Sequence, residues 1–293
     1  MFQKSYDQVL GIGEERYEKH KKKLFSKVYI FSHDHHGHYV LSYKIFKDYM
    51  IVGTGIKGFR YLCRNKIYIL DKKSGNTLKL IPTEQTKIKN NFKNNFSYNK
   101  KSIFMLNTYG SLYSIDNNTN NVRWVVNLNQ SLDINPNNLF NGKEIVSNDD
   151  LIVVTSHEAT YIINSDNGVI LKKFNIISKV KPLIANNKLF LISINNLLIS
   201  INLNNGKILY SYNVNKKIAE FLNTKELVAS FESIAISNDK IFIFLKNSYI
   251  LELELFGKLI NVIKLPFKIN SNLVFLNKFI IYLDDKKKLV ILS

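Results

Sequence analysis

The chain has one cysteine, Cys63, so it has no disulfide framework and no multi-cysteine zinc or iron–sulfur site. No stretch of eighteen apolar residues occurs, and no membrane-spanning helix is expected. The opening MFQKSYDQVLGIGEERYEKHKKK has no apolar core followed by a small-residue cleavage site, so no signal peptide is expected. Arginine is scarce. Of 41 basic residues only Arg16, Arg60, Arg64 and Arg123 are arginine. A reader of bases uses Arg for bidentate contacts and stacking, so the net charge of +18 does not indicate nucleic acid. The excess of Lys travels with Asn, Ile, Phe and Tyr, all AT-rich in codon, while Ala occurs five times; coding bias is the main expected source of the charge, with weak attraction to anionic surfaces the alternative.

At 45% apolar and 22% charged residues, 293 residues can bury a sizeable core, in one large domain or two ordinary ones. Asparagine divides the chain sharply: residues 1–64 contain none and residues 65–293 contain 38. Six of the twelve glycines fall in the first 64 residues. No Pro- or Ser-rich linker separates the parts. The expected organisation is therefore an unrelated segment, 1–64, joined abruptly to 65–293.

Beyond this seam one pattern repeats. An apolar run ends in Asp or Asn, and a turn residue follows four positions on. The copies end in Asp71 with Gly75, Asp116 with Asn120, Asn164 with Gly168, and Asn202 with Gly206. A fifth places Leu253 before Gly257. The turn residues lie 45, 48, 38 and 51 positions apart. Gly or Asn there suits a positive φ, and the Asx side chain suits a hairpin closed by its own backbone donors. Strand-like runs precede each later turn (103–106, 151–154, 189–192, 241–244) and follow it (122–128, 169–174, 207–214, 258–265). Strand and turn at a period of about 45 residues predict propeller blades; β-branched and aromatic content argues against helical repeats.

The stretch Asp116-Asn117-Asn118-Thr119-Asn120-Asn121-Val122-Arg123-Trp124 resembles the D-x-x-T-G-x-x-x-W repeat of PQQ-like β-propellers, with Asn120 in place of Gly. The lone Trp124 falls at the position where that family docks an indole between blades. The equivalent residues Lys79, Lys172, Tyr210 and Asn261 imply that the Trp belt is mostly lost. Within that superfamily residues 65–293 are most similar to the BamB-like lipoproteins of outer-membrane β-barrel assembly. The expected fold is all-β, an incomplete propeller of about five blades forming an open arc, preceded by a short helical or irregular segment. Missing first blades would leave unpaired strand edges.

Before the seam, Tyr39, Tyr43, Phe46 and Tyr49 predict a helical stripe ending before Gly53. The pattern around Gly53, Gly55, Phe59 and Arg60 resembles the periplasmic loop of the O-antigen ligase and polymerase family. That family's histidine motif and membrane helices are absent, so glycosyl transfer is not expected. Four of the six histidines, His33, His35, His36 and His38, crowd one short loop and are the nearest approach to a zinc, copper or nickel site. Such a loop supplies neither fixed geometry nor supporting partners, and no metal is assigned. Gly53-Thr54-Gly55-Ile56-Lys57-Gly58 lacks the strand–turn–helix frame of a dinucleotide site. The Lys286–Lys288 run reads as a solvated hairpin tip.

The resemblance implies a non-catalytic scaffold without a cofactor, partnered by the outer-membrane barrel assembly subunit on the periplasmic face. The alternatives are a quinoprotein dehydrogenase, which needs PQQ over calcium and commonly a vicinal cysteine pair, and a ligase remnant fused to a propeller fragment.

Overall fold

The structure, a computed structural model, describes residues 38–45, 49–56, 66–71, 74, 76–82, 96–107, 110–129, 140, 142, 145–226, 229–271, 273–276 and 279–292. Antiparallel strands dominate it, in successive sheets of neighbours in sequence. The first sheet runs β1 (His38–Ile45), β2 (Tyr49–Ile56), β3 (Lys66–Asp71), β4 (Thr77–Pro82). The second runs β5 (Phe96–Tyr98), β6 (Ser102–Leu106), β7 (Ser111–Asp116), β8 (Val122–Asn127). The third holds β9 (Val146–Ser147), β10 (Leu151–Thr155), β11 (Thr160–Asn164) and β12 (Ile170–Phe174). The fourth holds β13 (Leu183–Ala185), β14 (Lys188–Ile192), β15 (Leu197–Asn202) and β16 (Ile208–Asn213). The fifth is β17 (Phe231–Ser237), β18 (Lys240–Leu245), β19 (Tyr249–Glu254), β20 (Leu259–Lys264). The last is three-stranded: β21 (Val274–Leu276), β22 (Phe279–Leu283), β23 (Leu289–Leu292).

Two compact units emerge, Met1–His157 with Tyr161–Lys173, and Glu158–Thr160 with Phe174–Ser293. Apart from Thr160 and Phe174, the first contains three sheets and the second the other three. The middle strands read as continuous apolar runs because both of their faces are covered. All of Ser102–Leu106 is buried, as are Ile152–Thr155 and Leu198–Ile201. In the first unit Ile69 and Ile81 pack with Phe96, Ile103, Met105, Tyr113 and Ile115, joining the first two sheets. In the second, Phe190, Ile192 and Leu198 meet Ile241, Ile243 and Leu251 between the fourth and fifth sheets. Phe244 and Ile250 meet Tyr282 and Val290 between the fifth and sixth. Each such side chain contributes about 1.5–3 kcal/mol by leaving water.

One expectation needs correction. The helix expected across Tyr39–Tyr49 is instead the hairpin β1–β2, with Tyr43 opposite Val52. A separation of four, as between Tyr39 and Tyr43, fits a strand's period of two as well as a helix's turn, and the β-branched run Ile51-Val52 favours the strand. Gly53 and Gly55, the expected turn at the end of that helix, lie inside β2. β2 pairs with β3, with Val52 opposite Tyr68. The described residues form six sheets, five of four strands and the last of three. A short helix that sequence patterning missed, α1 (Val214–Leu222), follows β16. Asn213 caps it by accepting from the N–H groups of Asn215 and Lys216, and Asn223 ends it in the left-handed region at φ 52°.

Candidate functional site

The recurring turns join the third and fourth strands of successive sheets. The Asp116 carboxylate accepts N–H bonds from Asn118 and Thr119, both at 2.9 Å. The Asn164 amide oxygen accepts from Asp166 and Asn167 at 2.9 and 3.1 Å, and Asn202 from Asn204 at 2.9 Å. Asp71 accepts from the Ser74 N–H at 2.6 Å. The next polar side chain repeats the device one step along: Ser74, Thr119, Asn167 and Asn205 accept from the N–H groups of Asn76, Asn121, Val169 and Lys207. The backbone closes each loop, with Asn120, Gly168 and Gly206 donating back to Asp116, Asn164 and Asn202. These residues take φ values of 57°, 76° and 72°, the left-handed region that Gly and Asn tolerate. Thr119 and Asn118 donors hold the Asp116 carboxyl below its ordinary pKa.

The fifth turn is one residue shorter. Its closing bond runs from Glu254 N–H to Lys258 O, and Gly257 (φ 90°) donates to Glu254 rather than to Leu253. The partner of Gly257 is therefore Glu254, not the Leu253 expected from the alignment of repeats. Gly75 lies outside the described residues, as do His33, His35 and His36; His38 begins β1. Among the described residues no three His, Cys, Asp or Glu side chains converge on one point.

Four of the fourth strands, β4, β8, β16 and β20, carry a bulge. Register shifts fall at Leu78, Arg123, Leu209 and Ile260, between pairings such as Trp124 with Ser114 and Val122 with Ile115. An extra residue bends and twists the strand. The residue immediately after it is Lys79, Trp124, Tyr210 or Asn261, and three of these reach the turn of the following sheet. The Trp124 indole N–H donates to Ser165 O at 3.2 Å, its ring stacks on Phe104 at 6.0 Å, and it covers Gly168, where an added Cβ would stand 2.8 Å from the ring. The Tyr210 hydroxyl donates to Leu255 O at 3.2 Å and its ring covers Gly257, where a Cβ would stand 2.7 Å away. Lys79 donates to the Asn121 side-chain oxygen. Asn261 instead accepts from the neighbouring Val262 N–H. The belt expected to be mostly lost is thus rebuilt at Tyr210 and Lys79 with other side chains. Stacked tyrosines 210 and 212 lie 6.0 Å apart, and burial raises the Tyr210 hydroxyl to about 12 and Tyr212 higher still.

The fourth strands are also where apolar surface meets water. Leu78 and Leu80 on β4, Val122 and Val125 on β8, Leu171 on β12, Ile208 and Leu209 on β16, and Ile260 and Ile263 on β20 are all exposed, as are Leu289 and Ile291 on β23. Each of these strands is last in its sheet, with one neighbour among the described strands. Every sheet therefore presents an aliphatic strand with a free row of N–H and C=O groups, the geometry that accepts an added strand.

No known family model matches this chain, and no curated protein matches it. Solved structures match in fold. A structure of the mitotic checkpoint complex aligns with a TM-score of 0.60 at 12% identity, over 87% of this chain and 74% of that one. The computationally designed Ika8 protein aligns at 0.53 and 11% identity, over 86% and 83%. BamB from Moraxella catarrhalis aligns at 0.48 and 8% identity, over 83% and 81%. The fold is all-β, of the propeller type built from repeated four-stranded antiparallel sheets. Among the described residues no helix is long and apolar enough to cross a membrane.

Proposed function

We propose that this chain is a non-catalytic scaffold that binds a protein partner along the outer strands of its sheets. The observation that carries this reading is the repeated exposure of aliphatic residues on strands with one free edge, from Leu78 to Ile291. An unpaired edge costs little in water and is rewarded when a partner strand satisfies its donors and acceptors and covers the aliphatics. Photocrosslinkers at Val125, Leu209 and Ile263 are expected to capture a shared partner. That partner, once purified, should bind the intact chain and lose affinity when the capturing strand receives a charge. Capture at none of the three positions contradicts the reading.

The more specific identity is a component of outer-membrane β-barrel assembly on the periplasmic face, with the barrel subunit as partner. Its support is the sequence resemblance centred on Asp116–Trp124. Retention of the intact chain by the barrel subunit's periplasmic domains, above an unrelated propeller, is the expected outcome. Equal retention of both would remove that identity and leave the general one standing.

A further inference from the structure

The charge of the molecule is unevenly placed. From residue 167 through residue 219 there is no Asp or Glu, while eight lysines occur: 172, 173, 179, 181, 188, 207, 216 and 217. This stretch includes the whole fourth sheet, β13–β16. The fifth sheet is mixed, with Glu232, Asp239, Glu252 and Glu254 among its strands and turns, and pairs such as Lys240–Glu252 at 2.6 Å. Outer strands β16 and β20 share geometry and aliphatic exposure, but only β16 stands on a sheet without a carboxylate.

Along β16, Ile208 and Leu209 are 52% and 46% exposed. Exposed Lys207 precedes the strand and exposed Lys216 follows it on α1; neither has an ion-pair partner among the described residues. The nearest carboxylate along the chain, Glu220, is held by Lys217 at 2.7 Å. Among the described strands, β16 bonds to β15 on one side and to no other. The edge therefore offers backbone hydrogen bonds, an exposed aliphatic pair at its start beside Lys207, and a second cation, Lys216, beyond its end.

Resting on the scaffold reading, we propose that the free edge of β16 takes an extended acidic peptide segment, added as a strand, with aliphatic residues that cover Ile208 and Leu209 and acidic residues that face Lys207 and Lys216. An acidic strand gains Coulomb attraction from both flanking lysines and meets no like charge on the sheet, whereas a basic strand meets only repulsion. Backbone pairing supplies the geometry.

The test selects from a random display library of ten-residue peptides on the full chain. Enriched sequences are expected to combine aliphatic and acidic residues, with no excess of Lys or Arg. Their affinity should fall at least tenfold in the double variant Lys207→Glu with Leu209→Glu, both exposed positions. The charge-matched double variant on β20, Lys258→Glu with Ile260→Glu, should retain affinity within about twofold. Circular dichroism and thermal melting of both variants check that folding is intact. No enrichment, enrichment without acidic residues, or equal loss in the two double variants overturns the proposal. A dimer abolished by the β16 variant also overturns it, because the occupant is then a second copy. Capture at Val125 or Ile263 together with failure at β16 leaves the scaffold reading in place while ending this one.

Discussion

The junction closed by Trp124 in the first unit and that closed by Tyr210 in the second solve the same problem with different side chains. In each, a bulge precedes the ring, the ring lies on a glycine of positive φ, and its polar tip donates to a turn carbonyl at 3.2 Å. The turns they meet differ by one residue in length, and the receiving carbonyl shifts from Ser165, three before Gly168, to Leu255, two before Gly257. The invariant is thus the combination of bulge, ring and bare glycine; the indole is one way to meet it. A tyrosine brings a second consequence, since its hydroxyl can ionise and an indole N–H does not in the accessible range.

The comparison breaks most severely at the glycines. Gly168→Ala and Gly257→Ala each impose a side chain on a left-handed backbone and drive a Cβ to within 2.8 and 2.7 Å of a ring. The expected loss is about 2–4 kcal/mol each, from strain and overpacking together, read by denaturant unfolding. If the ring contact carries part of that cost, Gly168→Ala should cost less in a Trp124→Ala background, leaving mainly the backbone share. Equal costs in both backgrounds would show that the indole is not the obstacle.

A smaller effect separates the polar tips. Trp124→Phe and Tyr210→Phe keep a ring and remove one donor, at about 1 kcal/mol each by thermal or denaturant melting. Conservation of packing distinguishes these from the alanine variants, which lose about 2–4 kcal/mol.

The two junctions part in alkali. Burial raises Tyr210 to about 12 from an ordinary value of 10.0, so the folded state resists ionisation that the unfolded chain accepts. Stability is then complete below pH 10 and declines as pH rises toward 12. Tyr210→Phe should flatten part of that decline, with Tyr212 and Tyr282, likewise raised by burial, also contributing to it. Trp124→Phe should leave the alkaline slope unchanged. In acid the sign reverses for Asp116: its depressed pKa contributes stability above the ordinary carboxylate range that disappears as pH falls through the folded value. Asp116→Asn, which keeps an acceptor, should weaken this acid dependence. The smallest change is expected at Val125→Thr on the exposed outer strand, within about 0.5 kcal/mol by melting.

The repeats are legible in sequence because their chemistry is local: Asx side chains, Gly or Asn at positive φ, and buried apolar middle strands. The junctions are less so, because a register shift carries no residue signature and a bulge can aim Tyr210 or Lys79 as well as Trp124. First strands such as β9 and β13 are too short, at two and three residues, to show a period. The hairpin β1–β2 was obscured by aromatic spacing common to helix and strand. The fifth turn was misaligned by one position because Leu253 and Glu254 both end an apolar run. The outer edges follow only from strand order, which pairwise sequence patterns do not state.

The account rests on the fourth strands being free on one side, and amide hydrogen exchange of the intact chain tests this most directly. It predicts strong protection through Leu189–Ile192 and Leu198–Ile201, and rapid exchange at the outward-facing half of the amides in Ile208–Asn213. Uniform protection along Ile208–Asn213, equal to that of the middle strands, would mean that this edge is already covered and would contradict the binding role assigned to it.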